Sequence, residues 1–256
     1  MKNYELEYYN SIKNWDFSMI KYEEENLTNW DMYKILAEYA NKDSIILDLG
    51  TGGGERVLNE FPKARKIVGT DFSEEMIKTA NANLIKSGKS NIEFKVMNNL
   101  SMTVPENYFD IVVARHTCIS AKQIYKTLKN DGKLILRGVD KLDCWQLKRL
   151  FKQGQAYNDL KPISQIDYEN ILEAGFKNVE LVPIHIREYY KTKDDLVALL
   201  LKTPILDDFS EESVNNNLKK NKLDFNKLDM YIKENTYDKG ILLIRRYYGI
   251  IAEKKE

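Results

Sequence analysis

Cysteine and histidine are scarce in this chain of 256 residues, with two of each. Cys118 and Cys144 cannot build a disulfide framework, and with only His116 and His185 there is no zinc-ligand spacing, so no metal is expected. Five prolines and twelve glycines are too few for a collagenous or low-complexity chain, while a hydrophobic share of 43% is enough to fold. Neither sign of charge prevails. Lys+Arg and Asp+Glu stand at 39 each, which removes any overall attraction to polyanions and disfavours nucleic acid as a partner. Long hydrophobic runs are missing too: stretches such as 196–201 fall far short of the roughly 18 residues that cross a bilayer. The opening MKNYELEYYN is polar and acidic, unlike a secretory signal, so a cytoplasmic location without a membrane partner is expected.

What is present is a change of pattern along the chain. Residues 1–42 are aromatic and helical in character. From Asp43 to Asp140 short apolar runs alternate with amphipathic stretches, the signature of βαβ units and a parallel sheet. The pattern predicts strands at 44–49, 66–71, 92–97, 109–114 and 132–139. Ser73 can cap a crossover helix with Glu74 and Glu75 in its first turn and Met76, Ala80 and Leu84 on one face. Residues 142–151 and 167–174 read as helices and 178–188 and 241–252 as strands, with a mostly helical stretch at 189–239. At about 150 residues per domain, one elaborated domain is the economical reading. Its core would be 43–188 and 240–256, with 1–42 as a helical lid and 189–239 as a helical insertion over the substrate.

The segment Ile45-Ile46-Leu47-Asp48-Leu49-Gly50-Thr51-Gly52-Gly53-Gly54-Glu55 is an apolar strand running into glycines at the start of a helix. Glycine lets the backbone turn sharply and lets a ligand approach without meeting a Cβ. A dinucleotide site would want G-x-G-x-x-G with a pyrophosphate at the helix N-terminus, yet Glu55 stands where the third glycine belongs and would repel phosphate. The full pattern is D-x-G-x-G-x-G, from Asp48 to Gly54, and it favours a ligand without phosphates. A second apolar strand ends in Asp71, about 20 residues on, where a carboxylate can accept both hydroxyls of a ribose. The third strand leaves through Asn98, Asn99 and Leu100, with amides suited to a base edge, and the fourth through Arg115 and His116. All four ends share the carboxyl edge of a parallel sheet, where open α/β sheets bind ligands.

In order and spacing, ILDLGTGGG, VGTDFSEEM, the Asn98-Asn99 segment, FDIVVARH and the strand Gly132-Lys133-Leu134-Ile135-Leu136 resemble the class I S-adenosylmethionine-dependent methyltransferases, over residues 43–140 plus the closing strand. The resemblance implies an α/β, Rossmann-like three-layer sandwich. Its seven-stranded, mostly parallel sheet would have the order 3-2-1-4-5-7-6, with 178–188 as strand six and 241–252 as antiparallel strand seven. It also implies S-adenosyl-L-methionine as cofactor and S-adenosyl-L-homocysteine as product. Asp48, Gly50, Thr51 and Gly52 would then face the methionine part and Asp71 the ribose. Phe72 and Met76 would flank adenine, Asn98, the Asn99 backbone amide and Leu100 would read it, and Arg115 would join the cofactor set. Many relatives have Asp where Asn98 stands; an amide oxygen can accept from adenine's amino group as well. The stretch between strands six and seven is longer than the family's usual connection. Trp15-Asp16-Phe17-Ser18, GTGGGE, the Arg115-His116 pair and Thr203-Pro204 resemble a bacterial, small-molecule-type subgroup.

Methyl transfer from a sulfonium asks for alignment, a dry site and removal of a proton where the nucleophile carries one. His116 is the candidate base, with a hydrogen-bonding role toward cofactor or substrate as the equal alternative. The exit ARHT lacks the D/N-P-P-Y/F used on exocyclic amines of bases, Cys118 has no preceding proline for cytosine-C5 attack, and no carboxylates stand there for a catechol metal site. A small-molecule acceptor methylated on O or N is therefore the leading reading. An RNA-modifying enzyme and a non-catalytic S-adenosylmethionine-binding protein are the alternatives. Asp110 belongs to the scaffold, His185 to an alternating strand, and Tyr189-Tyr190 and Tyr247-Tyr248 to packing. Leu196, Leu199 and Leu200 form a buried helix stripe, and Lys219-Lys220-Asn221-Lys222 is a solvated run.

Overall fold

The computed structural model describes residues 19–206 and 225–255. The Trp15–Ser18 segment, the lysine run at 219–222 and parts of 1–42 and 189–239 lie outside the described residues. The chain gathers into two compact units. The first holds Trp30–Val139, Ser164–Val182 and the end of the chain from Tyr248; the second holds the described residues up to Asn29, Asp140–Ile163 and Pro183–Tyr247.

In the first unit, helix α1 (Met32–Tyr39) leads into β2 (Ile45–Leu49), α2 (Glu55–Glu60), β3 (Lys66–Asp71), α3 (Glu74–Ser87), β4 (Ile92–Val96), β5 (Phe109–Arg115), α4 (Ala121–Thr127) and β6 (Leu128–Val139). Every side chain of β2 is buried, as a strand covered on both faces requires, which is why IILDL reads as an unbroken apolar run. Strands β2 with β3, β2 with β5, β3 with β4 and β5 with β6 pair in parallel. The crossover helix α3 starts where expected: Ser73 Oγ accepts from Met76 N, Glu74 and Glu75 follow, and Gly88 ends it in the left-handed region. Asp110 is scaffold, as read from the sequence, but by long-range bonds: its carboxylate accepts from Ile45 N at 2.7 Å and from Lys129 Nζ at 2.7 Å. The core on one face joins Met32, Leu36, Ile46, Ile111, Val113 and Ile135.

Strands β7 (Lys177–Tyr190) and β9 (Gly240–Glu253) each have residues in both units. They run antiparallel, since Asn178 bonds Glu253 and Gly240 abuts Tyr190. In the first unit the strand order is β7-β9-β6-β5-β2-β3-β4; in the second it is β1 (Tyr22–Asn26), β7, β9, with β8 (Thr236–Tyr237) paired to β9. The expected fold class holds, but the described sheet has nine strands rather than seven, and its order differs in detail because β1 and β8 are added. The expectation of helix through 1–42 is thereby corrected for 22–26. YEEEN favours helix on propensity alone, but β7 offers it a sheet edge in the register Tyr22↔Tyr190, and Tyr22 stacks on Tyr190 at 5.3 Å between ring centroids.

The second unit also carries α5 (Trp145–Phe151), α7 (Lys193–Lys202) and α8 (Phe225–Asn235), while α6 (Ile163–Glu173) lies almost wholly in the first. Leu196, Leu199 and Leu200 are buried, as their spacing predicts. The second unit also holds a buried ionic network. Arg245 donates to both Asp143 oxygens, at 3.0 and 3.1 Å, and to both Glu188 oxygens, at 3.2 and 3.0 Å; Arg246 N and Tyr190 Oη complete the two carboxylates. Removing one partner of such a network strands a buried charge, so Asp143→Ala should cost about 3–5 kcal/mol in urea unfolding. Glu60→Ala, which breaks only the exposed Arg56–Glu60 pair, should shift the midpoint far less. Equal losses in the two variants would refute the assignment.

Candidate functional site

The site is built on the carboxyl edge of the first unit's parallel strands. After β2 the chain turns through Gly50, Gly52 and Gly54, all left-handed, at φ +77°, +56° and +79°. At Gly50 a Cβ would stand 2.7 Å from Thr117 Cβ, and at Gly54 it would meet the Phe94 ring at 2.7 Å, so only glycine serves there. The loop is stitched to the end of β3. Gly50 N and Thr51 N both donate to Thr70 O, at 2.8 and 2.9 Å, and Gly52 N donates to Asp71 Oδ2 at 3.0 Å. Asp71 Oδ1 accepts from Ser73 N at 3.0 Å, so one carboxylate orders both the loop and the start of α3. Burial raises the Asp71 pKa, against these backbone donors. Glu55 folds back over Gly53 and shares Asn83 Nδ2 with the Gly53 carbonyl, which keeps a carboxylate at the mouth of α2. A phosphate would meet that charge.

Asp48 is buried, and burial pushes its carboxyl up to about 7, against the Thr51 hydroxyl and the Arg115 guanidinium, with Asp71 adding to the rise. Its position follows from strand alternation. Ile46 and Asp48 stand opposite Ile111 and Val113, while Val113 and Arg115 stand opposite Ile135 and Arg137. Asp48, Arg115 and Arg137 therefore share one face toward the carboxyl edge, while Lys133, opposite Ile111, stands on the same face toward the amino edge. Helix α1 lies along that face, with Tyr39 beside Lys133 at the amino end (4.7 Å from the ring centroid) and Leu36 in the core. Tyr33, the second residue of the helix, reaches the charged end. Burial raises its pKa, Arg115, Arg56 and Arg137 oppose the rise and Asp48 adds to it.

Among the other expected site residues, Thr51 and Met76 are buried and Phe72 is half-buried beside Asp71. At the third-strand exit both asparagine side chains bond within the chain. Asn98 Oδ1 accepts from Leu100 N at 2.9 Å, so that amide is used locally, and Asn98 and Leu100 are exposed. The Asn99 side chain is buried and donates to Thr117 Oγ1 at 3.0 Å, bracing the end of β4 against the exit of β5. His116 is left-handed at φ +52°, and its N–H donates to Arg137 O at 2.8 Å. The chain has therefore turned by His116, which leaves the face that Arg115 occupies. Tyr33 and Arg137 were missed by the sequence reading. Arg137 was legible, since LILR aligned on FDIVVAR repeats an apolar row that closes on arginine.

Two cavities of about 360 and 390 Å³ open at the opposite, amino edge, around Ser44 and Lys129 and around Asn178 and Glu253, and neither borders the glycine loop. Among the described residues no group of His, Cys, Asp and Glu gathers as for a metal ion, and no helix is long and apolar enough to cross a membrane.

A family profile described as Methyltransferase domain matches residues 40–179, more than half of the chain. The chain is 26% identical over 98 residues to the uncharacterized methyltransferase YcgJ of Bacillus subtilis and 33% over 100 residues to the demethylmenaquinone methyltransferase of Lactococcus lactis. These matches cover 36% and 35% of this chain and only 39% and 40% of those proteins. Phosphoethanolamine N-methyltransferase of Plasmodium falciparum is 27% identical over 189 residues, 65% of this chain and 70% of that protein. The crystal structure of YcgJ superposes with a TM-score of 0.58 at 16% identity, covering 88% of this chain and 98% of that one, a likeness of fold.

The Asp48 carboxyl yields a pH prediction. Its folded pKa lies above the unfolded value near 3.9, so the folded state binds the extra proton; the stabilisation is complete below pH 4 and is lost as pH rises through about 7. Asp71 shifts in the same direction. Asp48→Asn should flatten the fall in melting temperature of the ligand-free protein between pH 5 and 8. Superimposable profiles for variant and wild type would refute the shift.

Proposed function

This chain belongs to the methyltransferase-domain family of class I S-adenosylmethionine-dependent enzymes, and from that membership we propose that it methylates an O or N atom of a small-molecule acceptor. The observation that carries the reading is the loop of three left-handed glycines held between the Asp48 and Asp71 carboxylates at the ends of adjacent parallel strands. The residues fit S-adenosylmethionine. A buried carboxyl with a raised pKa gains from a neighbouring cation, such as an α-ammonium; Arg115 can meet the α-carboxylate; Asp71 keeps lone pairs for ribose hydroxyls. Glu55 suits a ligand that brings no phosphate. Phe72 and Met76 would line the adenine, with Asn98, Asn99 and Leu100 beside it, although the local use of Leu100 N leaves Asn98 Nδ2 as the freer reader. Bound there, S-adenosylmethionine supplies a methyl group on a sulfonium whose thioether is a good leaving group.

The remaining work falls to the chain. Its apolar rows exclude water up to the edge, and the residues at the row ends orient charged groups. His116, turned off the sheet face at the exit of β5, is the proposed proton acceptor for the acceptor atom. The named acceptors of two relatives, demethylmenaquinone and phosphoethanolamine, support a small molecule over RNA.

S-adenosylhomocysteine should bind and raise the melting temperature, NADH should not, and Asp71→Ala should weaken binding by about 1.5–3 kcal/mol through lost bonds to a charged acceptor. Calorimetry showing unchanged affinity would remove the site. Incubated with S-adenosylmethionine, the protein should form S-adenosylhomocysteine on addition of a bacterial metabolite extract and not of total RNA. His116→Ala should slow that turnover by about 10²- to 10⁴-fold with cofactor affinity nearly unchanged. Wild-type rates in both His116→Ala and His116→Gln would dismiss the base.

A further inference from the structure

The segment that leaves β4 is short of packing and held by polar ties. Asn98, Leu100 and Ser101 are exposed, so little apolar surface fixes their position. Met97 N still belongs to the sheet edge, donating to Asp71 O at 2.8 Å, and beyond it Leu100 N and Ser101 N turn back onto Asn98. Asn99 is tied by its side chain to Thr117 at the exit of β5. The far end of the segment is gripped from α4 by Gln123. Its Nε2 donates to Leu100 O at 2.7 Å and its Oε1 accepts from Met102 N at 2.5 Å, so one side-chain amide pairs with the backbone as a neighbouring strand would. The two bonds also fix the orientation of that amide, because the reversed one would set N–H against N–H and oxygen against oxygen. Thr127, one helical turn further on, donates to Pro105 O at 2.6 Å from the same helix. Helix α4 therefore backs the connection between β4 and β5 at two points, and Gln123 holds the one next to Asn98 and Asn99.

We infer that Gln123 is a positioning residue for base recognition: by clamping Leu100 and Met102 it fixes the Asn98-Asn99 backbone against the purine edge and so sets the preference for adenine. The inference rests on the proposed cofactor reading and adds to it the residue that makes that reading selective. Adenine offers a bare ring nitrogen, N1, as acceptor to a backbone N–H. Hypoxanthine carries a hydrogen on the same nitrogen, so donor would face donor. A segment clamped to a helix cannot shift to relieve that opposition, whereas a loose one can, and discrimination depends on the wrong base leaving a donor unpaired. Gln123 acts through the backbone it holds.

The test titrates the whole protein by calorimetry with S-adenosylhomocysteine and, separately, with S-inosylhomocysteine, the analogue in which hypoxanthine replaces adenine. Wild type should prefer the adenine ligand by at least about 10-fold. Gln123→Met keeps the length of the side chain and removes both bonds. It should weaken S-adenosylhomocysteine by about 10-fold and S-inosylhomocysteine by less than about 2-fold, so that the preference shrinks at least about 5-fold. Gln123→Glu keeps an acceptor for Met102 N but sets a carboxylate against Leu100 O, and its preference should fall between the two; it carries the same comparison should Gln123→Met fail to fold. Thr127→Val cuts the tie at Pro105 and should leave the preference as in wild type. A merely structural role would weaken both ligands by one factor and keep their ratio. That result, an unchanged preference in the Gln123 variants, or a wild type indifferent to the base would overturn the inference and leave the cofactor reading standing. Failure of S-adenosylhomocysteine to bind wild type would overturn the cofactor reading and this inference together.

Discussion

The carbonyl of Thr70 and the carboxylate of Asp71 hold the glycine loop in the one conformation on which the edge depends. Three amides, at Gly50, Thr51 and Gly52, terminate on these two neighbouring groups at the end of β3. A loop with alternate residues in the left-handed region has little conformational reason to stay ordered by itself. Here its amides are satisfied by a strand whose position is already set by parallel pairing with β2. The same carboxylate reaches Ser73 N, so the turn into α3 is set by the same group. Thr70 Oγ1, fully buried, returns to the Asp48 carbonyl at 3.2 Å, which closes the bracing around the two acids.

The chemistry of the edge follows from strand alternation carried to its last residue. A parallel sheet covered on both faces has apolar rows, and a charge at the final position of a row is the first that can be reached by a ligand. Asp48 and Arg115 are two such final positions on adjacent strands, Arg137 on β6 comes just before the last residue of its face, Val139, and α1 closes the face with Leu36 below and Tyr33 at the rim. Burial pushes the Asp48 carboxyl up to about 7, while guanidiniums and a phenol gather around it.

The second unit handles buried charge in the opposite way. Arg245 is enclosed by Asp143 and Glu188 with every oxygen used, and Tyr190 and Arg246 N complete the network. A satisfied network of this kind specifies a packing arrangement and leaves nothing to offer a ligand. Lys148 is treated similarly, its ammonium accepted by the carbonyls of Lys141 and Gln155 at 3.1 and 2.8 Å. Burial of charge alone does not mark a site. What distinguishes the first unit is that its charged groups end rows at a sheet edge.

The sequence by itself determined the parallel core, because apolar runs closed by a glycine loop, an acid and an Arg-His pair occur at strand-length spacing, and local chemistry is enough to read them. It also determined Ser73 as a cap, set by a neighbour three residues away, and Glu55 as an obstacle to phosphate, set by its place in the glycine motif. Tertiary structure decided what depends on partners distant in the chain. YEEEN became an edge strand because β7 supplies hydrogen bonds that outweigh helix propensity. Asn99 turned its side chain inward to Thr117, 18 residues on. Arg137 and Tyr33 acquired meaning only through register, since a residue's face is fixed by its pairing with another strand and a helix's position by the rows it covers. Periodicity within a segment shows which residues share a face; only the pairing of segments shows which faces meet.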